Sequence, residues 1–192
     1  MTLSAHLRRA TQAAHAALEA APGMQALMSP TLTLDGYRRW VTTWARAWLP
    51  LEATVLSRLP PEYPSELIPA KRGHWLQADL RALGLSEASC TVPLGVPAVS
   101  GARWLGAAYV LRGSQLGATV VAAHLDRYLQ LSGAGALFFQ AHSMDGASVA
   151  SSFRGWCDAL DTLELDLAQR ALAVETAQQF FQFLQRHFEE TA

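Results

Sequence analysis

Apolar residues recur every three or four positions along most of this chain, which is the spacing of one face of an α-helix. Pro50 lies inside one such stretch and is expected to kink or split its helix. No stretch alternates with the period of two that indicates a β-strand. The pattern therefore predicts an all-α protein of about seven or eight helices. The main predicted helices run from Thr2 or Ser4 to Ala21 and over 34–59, 74–83, 104–131 (with a bend), 148–167 and 170–190, with a connector at 24–33.

Length and composition bound the class of protein. The 192 residues are 51% hydrophobic and 16% charged, which is enough to bury a real core, so we expect one domain over 1–192. The balance of 15 basic and 16 acidic residues gives no support to nucleic-acid binding. Cys90 and Cys157 form neither a C-x-x-C motif nor a disulfide framework, and no apolar run is long enough to span a membrane. We expect a cytoplasmic protein that does not enter the membrane and carries no signal peptide.

Three glycines interrupt the helix predicted around residue 110. Gly106, Gly113 and Gly117 fall near one helical face, and each costs about 1 kcal/mol relative to alanine. A helix with such a stripe is expected to bring its backbone close to something else. Two interpretations remain open, because the glycines could admit a crossing helix or a flat ligand.

A histidine and a glutamate lie one turn apart on the first predicted helix. Leu7, Thr11, His15 and Glu19 recur at intervals of four and therefore share a face. Glu19 can accept a hydrogen bond from Nδ1 of His15, which leaves Nε2 available to bind a metal. The alternative is a partly buried histidine that is satisfied by its helical neighbour.

Most catalytic motifs are missing from the sequence. There is no H-E-x-x-H, repeated E-x-x-H, C-x-x-C, P-loop, G-x-S-x-G or dinucleotide fingerprint. The basic pairs at 8–9, 38–39 and 71–72 are interpreted as solvated helix faces or loops. The histidine face and the glycine face remain, and together they favour a planar cofactor between two helices. A histidine-ligated haem meets both demands.

Both segments resemble one known family. The segment Leu7-Arg8-x-x-Thr11-x-x-x-His15-x-x-Leu18-Glu19 resembles the proximal-helix signature of haem oxygenases. The segment Tyr109-Val-Leu-Arg-Gly113-Ser114-x-Leu116-Gly117 is similar to the distal-helix signature of the bacterial, biliverdin-producing branch. The resemblance implies a single-domain bundle of helices with haem held between the first helix and the glycine-rich helix.

The resemblance also implies roles for individual residues. His15 is expected to ligate the iron with Glu19 as its hydrogen-bond partner, while Gly113 and Gly117 leave room for dioxygen above the haem. Arg8 and Tyr109 are expected to pair with a haem propionate. The residues implied to bind haem are Arg8, Thr11, His15, Glu19, Tyr109, Gly113 and Gly117, and those implied in catalysis are Gly113, Ser114 and Gly117.

The activity implied by the resemblance is oxidative cleavage of haem at a meso carbon, with the α position as the family default. The products are biliverdin, Fe²⁺ and CO, and the electrons come from a separate ferredoxin or reductase. Haem is then both cofactor and substrate, and the biliverdin could serve a bilin-accepting photoreceptor. The alternatives are a haem carrier or sensor without turnover, and a purely structural helical protein.

Two positions depart from the family pattern. Ser114 stands where the animal enzymes carry an aspartate, so the water network that delivers protons must be anchored elsewhere. Arg112 stands where bacterial relatives often carry an acidic residue, and is expected to alter the surface or a salt bridge.

Overall fold

The computed structural model describes residues 1–88, 95–131, 133–140 and 148–189. Over these residues the chain forms α-helices, one short 3₁₀ turn at Ser65–Leu67 and no β-strand, so the predicted all-α class is confirmed. Along these stretches, no helix combines the length and apolar character needed to cross a bilayer. The helices are α1 (Leu3–Ala20), α2 (Pro22–Leu27), α3 (Leu34–Ser57), α4 (Gly73–Ala82), α5 (Ala102–Leu129), α6 (Leu137–Gln140), α7 (Val149–Asp161) and α8 (Leu167–Glu189).

Local sequence chemistry explains several helix ends. The Thr2 side chain accepts a hydrogen bond from the backbone N–H of Ala5 and so caps α1, and Thr33 caps α3 in the same way. Gly84 follows α4 with φ of +70°, a conformation that favours glycine, as predicted for the end of this helix. These residues satisfy backbone groups that a helix leaves unpaired at its termini.

Some predicted boundaries are wrong. The first residues of the predicted connector 24–33 belong instead to α2 (Pro22–Leu27), because Pro22 occupies a first-turn position where no N–H is required. Pro50 does not split α3, which continues from Leu34 to Ser57 with its residues around the proline buried. The predicted bounds 148–167 and 170–190 become Val149–Asp161 and Leu167–Glu189.

A row of tryptophans on α3 forms the centre of the core. Trp40, Trp44 and Trp48 stack in succession, with ring centroids 5.5 and 5.2 Å apart. Phe138 from α6 and Phe188 from α8 contact the same row. Their burial confirms that this aromatic stripe belongs to the core.

Helix α8 runs alongside α1 and α2. Gln178 donates a hydrogen bond to the carbonyl of Ala10 at 2.9 Å, Phe181 contacts His15, and Phe188 reaches Gly23. Because these contacts follow one another in the same order on both segments, α8 runs in the direction of α1. α8 also packs against α5 and therefore lies beneath both helices of the predicted site.

Candidate functional site

The three glycines of α5 have different surroundings. A Cβ atom on Gly106 would lie 1.9 Å from the carbonyl oxygen of Ala173, so this glycine admits α8. A Cβ atom on Gly113 would meet only Phe153, at 3.8 Å, and one on Gly117 would meet nothing within 4 Å. The two interpretations left open by the sequence therefore apply to different glycines. Gly106 permits a helix crossing, whereas Gly113 and Gly117 border open space.

Apolar side chains flank the two open glycines. Val120 is 60% exposed, and Leu116 is also exposed, one turn before it. Together with Gly117 they form an apolar face on the second half of α5 that no described residue covers. Exposed apolar surface of this kind indicates a binding site.

Helix α1 approaches α5 at one end of a gap, which we name the α1–α5 slot, and the segment after α2 contacts α5 at the other end. At one end, the side chain of Thr11 lies beside the hydroxyl of Tyr109. At the other end, Nε2 of His124 lies 3.1 Å from the carbonyl oxygen of Ser29, just beyond α2. From Tyr109 to His124 the axis of α5 rises by about 22 Å. The slot is therefore bounded at both ends, with α8 as its floor.

His15 lies between these two ends of the slot. Its side chain is 54% exposed, and the ring of Phe181 packs against it edge-on at 5.4 Å. Nδ1 lies 3.5 Å from a carboxylate oxygen of Glu19, an ion-pair distance rather than a short hydrogen bond. Among the described residues none forms a hydrogen bond with Nε2, which leaves this nitrogen available to a metal.

Three of the implicated residues gather at the Thr11 end of the slot. The Tyr109 ring packs against Phe153 and Trp156 of α7, with centroids 6.0 and 6.3 Å away. Burial raises the pKa of Tyr109, so its hydroxyl stays a neutral hydrogen-bond donor. The positive charge of Arg8, exposed on α1, acts on that hydroxyl and favours the opposite shift. Arg8 and Tyr109 therefore share this end of the slot.

Ser114 is held from outside the slot. Its hydroxyl donates to the carbonyl of Leu111 at 2.8 Å and accepts from Nη1 of Arg72 at 3.0 Å. Arg72 is only 1% exposed, so the interpretation of 71–72 as a solvated basic pair is wrong for Arg72. Its guanidinium is buried because it lies against the ring of Phe138, 4.0 Å from the centroid. Sequence spacing missed this residue because its contacts are distant along the chain.

Arg112 joins α5 to α7. Nη1 donates to the side-chain oxygen of Gln115 at 2.6 Å, and Nη2 donates to the hydroxyl of Ser152. Over the described part of the chain, no carboxylate pairs with Arg112. From the sequence we expected Arg112 to alter the surface or a salt bridge. In the structure it instead donates a hydrogen bond from α5 to α7.

The donor set fits a haem better than a metal held by protein ligands alone. In the described residues, no three His, Cys, Asp or Glu side chains converge on one point. His15 therefore offers a single nitrogen, which suits a metal whose other ligands come from a porphyrin. The bare backbone at Gly113 and Gly117 suits a flat group on the other side.

Comparison with known proteins gives one family. The family model described as "Heme oxygenase" matches residues 1–190. No curated protein sequence matches at a significant level.

Three solved structures share the fold. The heme oxygenase-1 of the cyanobacterium Synechocystis, solved with heme, is 16% identical, with a TM-score of 0.75 over 99% of this chain and 92% of its own. The heme oxygenase of Neisseria meningitidis is 22% identical, with a TM-score of 0.76 over 100% and 92%. That of Leptospira interrogans is 19% identical, with a TM-score of 0.74 over 99% and 100%. At these identities the similarity establishes the fold.

Proposed function

The chain belongs to the haem oxygenase family, and we propose that the α1–α5 slot is its haem site. The protein is an enzyme that degrades haem, and haem is its iron-containing substrate. The match over residues 1–190 supports our proposal that 1–192 is a single domain.

One observation carries the assignment of the site. Nε2 of His15 on α1 has no hydrogen-bond partner among the described residues, and α1 lies beside the open glycines Gly113 and Gly117 of α5 in that both helices pack on α8. In our proposal His15 would ligate the haem iron through Nε2, and Glu19 would steady the imidazole through Nδ1. Gly113 and Gly117 would leave room for dioxygen in the slot.

The remaining residues orient the haem. Arg8 and Tyr109 would pair with a haem propionate at their end of the slot, where Thr11 lies beside the Tyr109 hydroxyl. Ser114 would accept a hydrogen bond at the edge of the open face. When bound, haem supplies both the iron that activates dioxygen and the meso carbon that is cleaved, which yields biliverdin, Fe²⁺ and CO. We expect cleavage at the α position.

The partners are proposed from the family assignment. Haem cleavage consumes electrons, and as in the family we propose that a separate ferredoxin or reductase delivers them. We also propose a cytoplasmic location and a bilin-accepting photoreceptor as one destination of the product. Pull-down with candidate donors and reduction kinetics of the haem complex test the first of these partners.

Spectroscopic titration with hemin tests the proposed function. A Soret band should appear and saturate at one equivalent. Under air, with ascorbate or a reductase system and with catalase to remove free peroxide, that band should disappear and a bilin absorbing in the red should form. Recovery of intact haem after many equivalents of electrons would contradict turnover and favour the non-catalytic carrier or sensor.

Replacement of His15 tests the iron ligand. His15→Ala should abolish the histidine-ligated spectrum, and added imidazole should restore it together with some turnover. The matched control is His74→Ala, which removes an exposed histidine from α4 and should change neither property. An unchanged spectrum in His15→Ala would assign the ligand to another histidine.

A further inference from the structure

A buried arginine lies beside α5, next to the open glycines. Nη1 of Arg72 donates to the hydroxyl of Ser114 at 3.0 Å, and Nη2 donates to the carbonyl oxygen of Phe138 at 2.8 Å. The guanidinium carbon also lies 4.0 Å from the ring centroid of Phe138 and 5.6 Å from that of Trp48. These contacts fix the cation in one position.

The charge of Arg72 is only partly compensated. The Glu52 carboxylate accepts the backbone N–H groups of Arg72 and Gly73, both at 2.7 Å, and so does not pair directly with the guanidinium. Within the described ranges, no other carboxylate pairs with it. The charged groups that act on it are Glu52 of α3 and Arg112 of α5. Burial lowers the pKa of Arg72 to about 10, so the side chain remains a cation at neutral pH.

Ser114 connects this cation to the slot. Ser114 is the next residue after Gly113 in α5, so it lies at the edge of the open face. Its proton is committed to the carbonyl of Leu111, and one lone pair accepts from Arg72. The hydroxyl can therefore only accept a further hydrogen bond.

We propose that Arg72 is a positioning residue of the haem site, which holds Ser114 as an acceptor and supplies a fixed positive charge that favours anionic iron ligands on the α5 side. The inference rests on the proposed function, because it requires haem in the α1–α5 slot. A buried cation retains its influence in this region because few mobile waters and ions screen it.

Paired affinities of a charged and a neutral ligand test the inference. Azide and imidazole are titrated into the ferric haem complex and followed by absorbance, without turnover. Arg72→Met should weaken azide about four- to fifteenfold, the effect of one charge roughly 10 Å away at an effective dielectric constant of about 20 to 40. Imidazole affinity should stay within about twofold, because a neutral ligand does not feel the lost charge.

Three further variants make the result specific. Arg72→Lys keeps the charge and should retain azide affinity. Ser114→Asp places a carboxylate against Arg72, so it should weaken azide even if Arg72→Met does not fold. Arg39→Met removes an exposed positive charge from α3 and should leave both affinities unchanged.

The outcomes separate this inference from the proposed function. If the wild-type protein binds no haem, the proposed site itself fails. If it binds haem and azide but Arg72→Met and Ser114→Asp change neither affinity, the inference is wrong. Equal losses for azide and imidazole would also overturn it, because they indicate a purely structural role for Arg72.

Discussion

Glycine has opposite roles in the two halves of α5. Over residues 102–111 the helix is buried on nearly every side, and Gly106 touches the backbone of α8. Over residues 112–129 only Gln115, Ala118 and Leu125 are buried, and Gly117 faces open space. Glycine spacing therefore indicates where a backbone can be approached, but the packing around it decides whether a helix or a ligand approaches.

The difference has an energetic consequence. In the first half, an added methyl group must displace backbone, which close-packed interiors resist. In the second half, an added methyl group meets little and improves helix propensity. The same substitution should therefore have opposite effects on stability in the two halves.

The largest effect is expected at the helix crossing. Gly106→Ala should lower the free energy of unfolding by about 3 kcal/mol or more, or prevent folding, because its Cβ would overlap the carbonyl oxygen of Ala173. Gly117→Ala should raise it by about 1 kcal/mol. Urea unfolding of the haem-free proteins measures both changes. Equal effects of the two substitutions would remove the distinction between the halves.

The stability of the packed side of the molecule, around the first half of α5, should also depend on pH through a buried carboxylate. Asp79 of α4 accepts backbone N–H groups from Gly135, Leu137 and Phe138, and so fixes α6, which packs on α5. Burial raises the pKa of Asp79 to about 6, although the three hydrogen bonds favour a lower value. The folded state therefore binds a proton that the unfolded state releases between about pH 4 and 6.

This stabilising contribution is present at low pH and is lost as the pH rises through about 6. Between pH 3.5 and pH 7, the stability of the wild type relative to Asp79→Asn should therefore fall by about 2 to 3 kcal/mol. Urea unfolding of both proteins across this range gives the difference. Parallel pH profiles would show that Asp79 does not titrate in this way.

The second half of α5, residues 112–129, is tested by ligand affinity rather than by stability. Gly113→Leu and Gly117→Leu should lower haem or azide affinity more than about tenfold, because the side chain enters the slot, while apoprotein stability holds or rises by up to about 1 kcal/mol. A side chain at position 113 would contact Phe153, whereas one at position 117 meets nothing within 4 Å, so Gly117→Leu is the cleaner variant. Unfolding of the apoprotein with a normal residual haem site would instead indicate helix-crossing contacts.

The same contrast explains what sequence reasoning could reach. Helical periodicity predicted α1, α3 and α5 because it is a local property, and the His15–Glu19 contact follows from spacing on one helix. The separation of Gly106 from Gly117 depends on α8, which lies over 50 residues further along. The burial of Arg72 likewise depends on Phe138 and Ser114, and no local pattern carries that information.

The smallest effect is expected where the two halves meet. Arg112 directly precedes Gly113 and donates to the Ser152 hydroxyl, so this contact joins the start of the open half to α7. Ser152→Ala should lower the free energy of unfolding by about 1 kcal/mol, because it removes the acceptor of a charged donor. Ser151→Ala is the matched control, since this exposed serine bonds to Ser148 within its own turn and to no other residue that the structure describes. Ser151→Ala should lower the free energy of unfolding by less than about 0.5 kcal/mol. Differential scanning calorimetry of the apoproteins measures both, and equal losses would mean that the link to α7 contributes no stability of its own.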